Sequence, residues 1–309
     1  MGAFAGSAAL LCQVLRSDVS VITLTMNNSC NLRCPHCYLQ FAQEDKFVAP
    51  WVVETIAESD AEAVAIVGME PLLNRDSARK LASIVEAVKS RDKKVGVITN
   101  GLNAHLLSRE TAALVDWVDV SVDGTRETYG SIRGAPVRKL ERGIETLDRL
   151  GVRQINVLHT LHAGNLSQLG DLADFGRDLA TGQVVLSPFC ATRHEGSQPR
   201  DLDITSGALL QALERSDVDL DDCWIVLDLD WVAEPQLRQQ FADRVERQLG
   251  GRSIMFRADP AAYGMVRITY DARVMTPRQA MHTGDYRRSR PRTREELSQV
   301  LARPAAQLI

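Results

Sequence analysis

Three of the six cysteines in this 309-residue chain, Cys30, Cys34 and Cys37, fall within a stretch of eight residues. Thiolates separated by three and then two residues can converge from one tight loop on a single site, and such soft donors suit an iron-sulfur cluster or zinc. A structural zinc site needs four protein ligands, and only His36 or a distant cysteine could complete that set here. The ligand count therefore favours a cluster, with zinc as the alternative. A disulfide framework does not fit, because Cys12, Cys190 and Cys223 are widely scattered.

Three further polar groups follow in order: Gly68, Met69, Glu70 and Pro71, then Thr99, Asn100 and Gly101, then Ser121, Asp123 and Gly124. Each stands at or just beyond the end of a short apolar run. Such runs, read as strands, are Val21 to Thr25, Ala63 to Val67, Val95 to Thr99, Val118 to Val122, Ile155 to Leu158 and Val184 to Leu186. Helical spacing fills the intervals at Trp51 to Glu58, Ser77 to Lys89, Arg109 to Val115, Lys139 to Leu150 and Leu166 to Leu179. Regular alternation of strand and helix requires right-handed crossovers and a parallel sheet, with chemistry at the C-terminal strand ends. The cysteine loop leaves the first strand at that same end.

After about residue 195 the alternation loosens. A polar Gly- and Pro-containing stretch precedes strand-like Trp224 to Leu229, helical Gln236 to Leu249 and strand-like Val266 to Thr269, which read as a C-terminal α+β extension. Residues 1–19 read as an N-terminal leader helix, too short to span a bilayer and lacking a basic start. The expected division is 1–19 leader, 20–195 barrel and 196–309 extension covering the substrate site. A formal net charge of -4 and a pI near 5.9 exclude an electrostatic case for nucleic acid. With no long apolar run, the expectation is a cytoplasmic protein acting on a small molecule.

The cysteine spacing, with His36 at the mostly aromatic position before the third cysteine, resembles the radical S-adenosylmethionine (radical SAM) superfamily. Gly68 to Pro71 resemble its Gly-Gly-Glu-Pro segment, with Met69 replacing the second glycine. Thr99 to Gly101 resemble its Thr-Asn-Gly turn, and Ser121 to Gly124 its Ser-x-Asp-Gly. The resemblance covers roughly residues 20 to 190 and implies an α/β fold, a partial (β/α)6 TIM-like barrel. It implies that Cys30, Cys34 and Cys37 hold three irons of one 4Fe-4S cluster, the fourth iron taking the amino and carboxylate groups of S-adenosylmethionine. Reductive cleavage then yields methionine and a 5′-deoxyadenosyl radical that takes a hydrogen atom from substrate.

The cofactor-binding set implied by the resemblance is His36, Gly68, Met69, Glu70, Thr99, Asn100, Ser121, Asp123 and Arg133. Glu70 and Gly68 receive the ammonium, Thr99 and Ser121 approach the ribose or methionine portions, and Arg133 meets the carboxylate. A flavodoxin- or ferredoxin-type protein would supply the electron. Asn165 fits the pattern beyond the fifth strand as a helix cap.

Peptide-modifying relatives often carry further cysteines for auxiliary clusters, whereas this chain has none after Cys223. The stretch Tyr270 to Pro277 resembles the start of such an extension, with Arg278 where a cysteine would stand. A single cluster points to small-molecule chemistry, with an overall resemblance to enzymes acting on aminoglycoside or nucleoside antibiotic sugars. Cys190, at the end of the sixth strand, is the candidate hydrogen-atom donor of an epimerase, or else a buried small hydrophobe. His194 and Glu195 are candidate proton acceptors for an oxidation, or else solvated loop residues. Decarboxylation of a sugar acid, peptide modification and a zinc-stabilised binding module are the alternatives.

Overall fold

The computed structural model describes residues 20–37, 44–189, 200–215, 223–228, 254–257, 265–275 and 290–302. The leader helix expected over 1–19 and the helix expected over Gln236 to Leu249 lie outside the described residues.

The six apolar runs form strands β1 (Val21–Thr25), β2 (Ala63–Val67), β3 (Lys94–Thr99), β4 (Trp117–Ser121), β5 (Ile155–Leu161) and β6 (Val184–Pro188). The intervening helices are α1 (Pro50–Glu58), α2 (Arg75–Lys89), α3 (Arg109–Leu114), α4 (Tyr129–Arg133), α5 (Val137–Arg149) and α6 (Leu169–Leu179). Beyond them come α7 (Ser206–Arg215), β7 (Cys223–Asp228), β8 (Ile254–Arg257), β9 (Met265–Ile268), β10 (Val274–Met275) and α8 (Arg294–Leu301).

Among the described residues ten strands form one sheet, in the order β10-β9-β1-β2-β3-β4-β5-β6-β7-β8. Every neighbouring pair is parallel except β9 with β10. Among the described residues β10 and β8 end the sheet without pairing with each other, so the curled sheet is a partial TIM-like α/β barrel. The C-terminal strands add to both edges: β7 and β8 follow β6, while β9 returns to lie beside β1.

The two faces of the sheet differ in burial. On the outer face, Ile22, Leu24, Val64, Ile66, Val95, Val97, Val118 and Val120 are buried beneath Ile56, Leu81, Val85 and Leu140 of the helices. Each such side chain contributes about 1.5–3 kcal/mol on burial. On the inner face, Ala63 and Ala65 with Val21 make room for Trp117. A Cβ added at Gly96 would lie 2.0 Å from the Trp117 ring, so the indole fills the space the glycine leaves. Further along the inner face, Ile98, Asp119, Ser121, Leu158, Thr160 and Ser187 are only half-buried, although their outward-facing strand neighbours are buried. Side chains in the middle of a covered sheet stay accessible only if the concave face is not filled.

Register brings the strand ends level. Thr25 pairs with Val67, Thr99 with Val120 and Ser121 with Leu158, so the loops that follow share one rim. Helix α5 fixes the loop after β3, because Gly143 passes so close that a Cβ there would lie 2.0 Å from the Gly101 carbonyl oxygen. The C-terminal helix α8 packs on α1 with Leu297 buried, and Arg294 pairs with Glu54 at 3.5 Å and with Glu58.

Candidate active site

The cysteine loop leaves β1 and returns with both ends pinned. Asn27 bridges to Phe47, the Asn28 side-chain oxygen accepts from the Lys46 N–H at 2.8 Å, and Ser29 Oγ accepts from the Asp45 N–H at 3.0 Å. Within the loop, Arg33 donates to the carbonyl oxygens of Cys30 and Leu32, each at 2.7 Å. The Cys37 N–H donates to the Cys34 carbonyl oxygen at 3.1 Å, closing the turn. These bonds hold three half-buried thiols on one short segment.

Burial pushes the Cys30 and Cys34 thiols up from their ordinary range. The Leu32 N–H, 3.3 Å from the Cys30 sulfur, opposes this at Cys30, and the nearby Arg133 guanidinium opposes it at Cys34. A bound metal centre would deprotonate such thiols by supplying the missing positive charge. Among the described residues no three His, Cys, Asp or Glu side chains converge on one metal position; a cluster takes one thiolate per iron rather than a shared point.

Glu70 anchors the opposite wall. It is buried, and burial pushes its carboxyl up, but Oε1 accepts from Thr99 Oγ1 at 2.5 Å and from the Leu72 N–H at 2.8 Å. Its other oxygen accepts from the Asn100 N–H at 2.8 Å. The carboxylate therefore joins the β2 and β3 loops, a clamping role beyond the ammonium contact that the resemblance implied. Asn27 Nδ2 donates to the Glu70 carbonyl oxygen at 2.8 Å, and the Met69 N–H donates to the Asn27 carbonyl oxygen at 3.3 Å. A Cβ on Gly68 would fall 2.1 Å from Asn27 Oδ1, so a larger residue there would displace the Asn27 side chain from this place.

Asp123 organises the third wall. Non-glycine residues seldom adopt φ > 0, and Asp123 has φ 62, which turns the chain sharply after β4. Its Oδ2 meets His36 Nε2 at 2.8 Å and accepts from Arg133 at 2.7 Å, while Oδ1 accepts from the Thr160 N–H at 2.6 Å. Burial alone would raise the carboxyl, yet His36, Arg133 and these hydrogen bonds hold it well below the usual carboxylate range. Arg133 comes from α4, which ends where Gly134 takes a left-handed φ of 73. Tyr129 of the same helix is fully buried beside Arg133, and burial raises its hydroxyl to about 12.

His162, just beyond β5, was not singled out by the sequence. Its ring stacks on His36 with centroids 5.4 Å apart. Nδ1 accepts from the Gly164 N–H at 3.1 Å, which leaves Nε2 to carry the ring proton, and burial followed by the neighbouring His36 lowers the pKa of the ring. Its position at a strand end, shared with the other site groups, was the signal available. Asn165 does not cap the following helix: its Nδ2 donates to the carbonyl oxygens of Asp123 at 2.7 Å and Thr160 at 2.8 Å, and its oxygen accepts from the His162 N–H at 2.8 Å. The side chain is spent on tying two strand ends together.

Of the expected site residues, His36, Asp123 and Arg133 are thus in direct contact, as are Glu70, Thr99 and Asn100. Ser121 lies half-buried on the inner face at the end of β4, and Met69 is half-buried between Gly68 and Glu70. Cys190, His194 and Glu195 lie outside the described residues. Cys223 pairs with Val184 at the first residue of β7, the end of the sheet opposite the rim.

Eight buried side-chain atoms among the described residues have no hydrogen-bond partner, and five belong to Thr25, Asn27, Tyr129, Arg133 and His162 at the rim. Unmet buried polar atoms are costly and call for an explanation such as a ligand. The acceptor on Asn27 and the donors on Arg133 and His162 suit a ligand carrying both an ammonium and a carboxylate, and the thiols suit an iron-sulfur cluster. The residues present fit both groups.

Residues 24–176 match the Radical SAM superfamily. A probable GTP 3',8-cyclase of Methanococcus aeolicus is 24% identical over 170 residues, 52% of this chain and 57% of the relative. Pre-heme d1 synthase of Dinoroseobacter shibae is 25% identical over 177 residues, 54% of this chain and 43% of the relative. The chain spans about half the length of these relatives. Among solved structures, Streptococcus suis SuiB bound to precursor peptide SuiA superposes with a TM-score of 0.64 at 13% identity, over 97% of this chain and 70% of that one. The structure of anSMEcpe with bound AdoMet gives 0.51 at 15% identity, over 76% and 64%. The fold, the cysteine loop and the matched domain together place this chain in the radical SAM superfamily, whose members work with a 4Fe-4S cluster and S-adenosylmethionine.

Proposed function

We propose that this protein cleaves S-adenosylmethionine reductively and uses the resulting radical to take a hydrogen atom from a small polar molecule, epimerising or oxidising a sugar carbon. The observation that carries the radical chemistry is the pinned loop of Cys30, Cys34 and Cys37 facing Glu70, Asn100 and Asp123 across the rim. When bound, the cluster and cofactor supply one-electron cleavage to methionine and a 5′-deoxyadenosyl radical. The rest of the work falls to the chain. Cys30, Cys34 and Cys37 would hold the irons, and the backbone of Gly68 to Glu70 with Asn27 would receive the ammonium. Arg133, its charge balanced by Asp123, would meet the carboxylate, and His36 with His162 offers a flat wall for the adenosine portion.

The half-buried inner face supports the substrate class. It presents Asp119, Ser121, Thr160 and Ser187, side chains that hydrogen-bond hydroxyl or amino groups. The relatives named for GTP and pre-heme d1 point the same way, toward small molecules. In this reading Cys190 returns a hydrogen atom in an epimerisation, and His194 or Glu195 takes a proton in an oxidation. The protein works in the cytoplasm with a flavodoxin- or ferredoxin-type reductant.

The test is anaerobic reconstitution followed by reduction with dithionite. Protein with about four irons per chain should release 5′-deoxyadenosine, and Cys30→Ser, Cys34→Ser and Cys37→Ser should each abolish it. Retention of release in any of the three contradicts the assignment. Sugar-containing nucleosides, aminoglycosides and peptides, supplied in deuterated solvent, then separate epimerisation from oxidation, decarboxylation and peptide modification by product mass.

A further inference from the structure

The Asn100 side chain is held by more contacts than a turn requires. Its oxygen accepts from the Leu102 N–H at 3.0 Å, and its backbone N–H donates to Glu70 Oε2 at 2.8 Å. The bond from Leu102 fixes which way the amide faces, because flipping it would set Nδ2 against the Leu102 N–H, donor against donor; the bond to Glu70 holds the backbone from which it projects. Nδ2 is therefore turned toward the cysteine loop, 2.8 Å from Asn31 Oδ1 and 4.0 Å from the Cys30 sulfur. An amide nitrogen carries two hydrogens, one for each of these acceptors. The residue is 4% exposed, so water does not compete for them.

We propose that Asn100 is a positioning residue for the cluster, donating a hydrogen bond to the Cys30 sulfur and making the cluster easier to reduce. The inference rests on the reading that Cys30 binds iron. Hydrogen bonds to cluster sulfurs raise the reduction potential, because they stabilise the added negative charge, and outer partners of metal ligands tune the centre in the same way. The Leu32 N–H already donates to this sulfur at 3.3 Å, and Asn100 supplies a second donor from the β3 side. Because Glu70 holds Asn100 and lies against the Gly68 segment, the donor is set by the same clamp that shapes the wall opposite the thiols.

The experiment compares reconstituted wild-type protein with Asn100→Ala, Asn100→Ser and Asn31→Ala by iron content, redox titration and the spectrum of the reduced cluster. Loss of the donor should reduce the reduction equilibrium constant about tenfold in both Asn100 variants, a shift of ~59 mV to lower potential for one electron. Serine keeps an acceptor for the Leu102 N–H without reaching Cys30, so it preserves the turn should the alanine variant fail to fold. Asn31→Ala frees Asn100 to face only the sulfur, and its potential should match or exceed that of wild type. An Asn100→Ser cluster within threefold of wild type overturns the inference, as does an Asn31→Ala drop equal to that of the Asn100 variants. Wild-type protein that takes up no iron refutes the underlying cluster reading instead.

Discussion

Replacing Asp123 with asparagine removes one negative charge from the centre of the site while changing its shape little. Asparagine tolerates the left-handed backbone that Asp123 adopts, at φ 62, so the substitution adds no conformational strain. Its amide nitrogen must face either the Arg133 guanidinium and His36 or the Thr160 N–H, all of which donate in the native structure. Arg133 is buried and cannot lose its proton, so its charge is left uncompensated. Removing one partner of a buried ion pair costs ~3–5 kcal/mol. Urea denaturation of the metal-free protein under reducing conditions should show a loss in that range. Because Asp123 titrates far below its unfolded value of about 3.9, its stabilisation is present above that value and is lost only at much lower pH. Pairing the change with Arg133→Met should recover ~1–3 kcal/mol, because the stranded cation is then gone. A single-variant loss below ~1 kcal/mol, or two losses that simply add, would refute the argument that the pair is a coupled buried unit.

Three further outcomes follow from the same geometry. Gly143→Ala drives a methyl group against the Gly101 carbonyl oxygen, so it should cost ~1–3 kcal/mol in urea denaturation despite alanine's better helix propensity. Burial raises the Asp119 carboxyl to about 6 against hydrogen bonds from Asn156 and Trp117. For a raised pKa the stability is full below the unfolded value and is lost as pH rises through about 6. Asp119→Asn should therefore gain ~2 kcal/mol relative to wild type on going from pH 4 to pH 8, read from paired denaturation curves. Asn165→Ala removes three hydrogen bonds to backbone groups and should cost ~2–4 kcal/mol. A loss nearer ~1 kcal/mol would match the helix cap suggested by the sequence.

The strands were legible because a sheet covered on its outer face needs β-branched runs such as Val21 to Thr25, which coincides with β1. Helix α4 was not, since its five residues are too few for a periodic pattern, and Arg133 could be noticed only through its resemblance to a family pair. The cysteines announced themselves by spacing, whereas His162 lies 126 positions after His36 and meets it only because β5 stands beside β4. Asp119 alternates between Val118 and Val120, which signals a strand with one polar face, but not that this face lines an open concavity. Asn165 was misread because a polar residue before a helix is usually a cap, and local sequence carries no trace of the distant carbonyl oxygen of Asp123 that claims its amide. The return of β9 to the edge beside β1 likewise depends on a pairing more than 240 residues apart in sequence.

The central claim is that one iron-sulfur cluster on Cys30, Cys34 and Cys37 meets S-adenosylmethionine at this rim. Electron paramagnetic resonance of the reconstituted, dithionite-reduced protein, recorded with and without S-adenosylmethionine, tests it directly. The expected result is the signal of a single reduced 4Fe-4S cluster whose g-values shift when the cofactor is added, and no such signal in Cys34→Ser. A signal indifferent to the cofactor, or protein that holds only zinc and is silent, would contradict it.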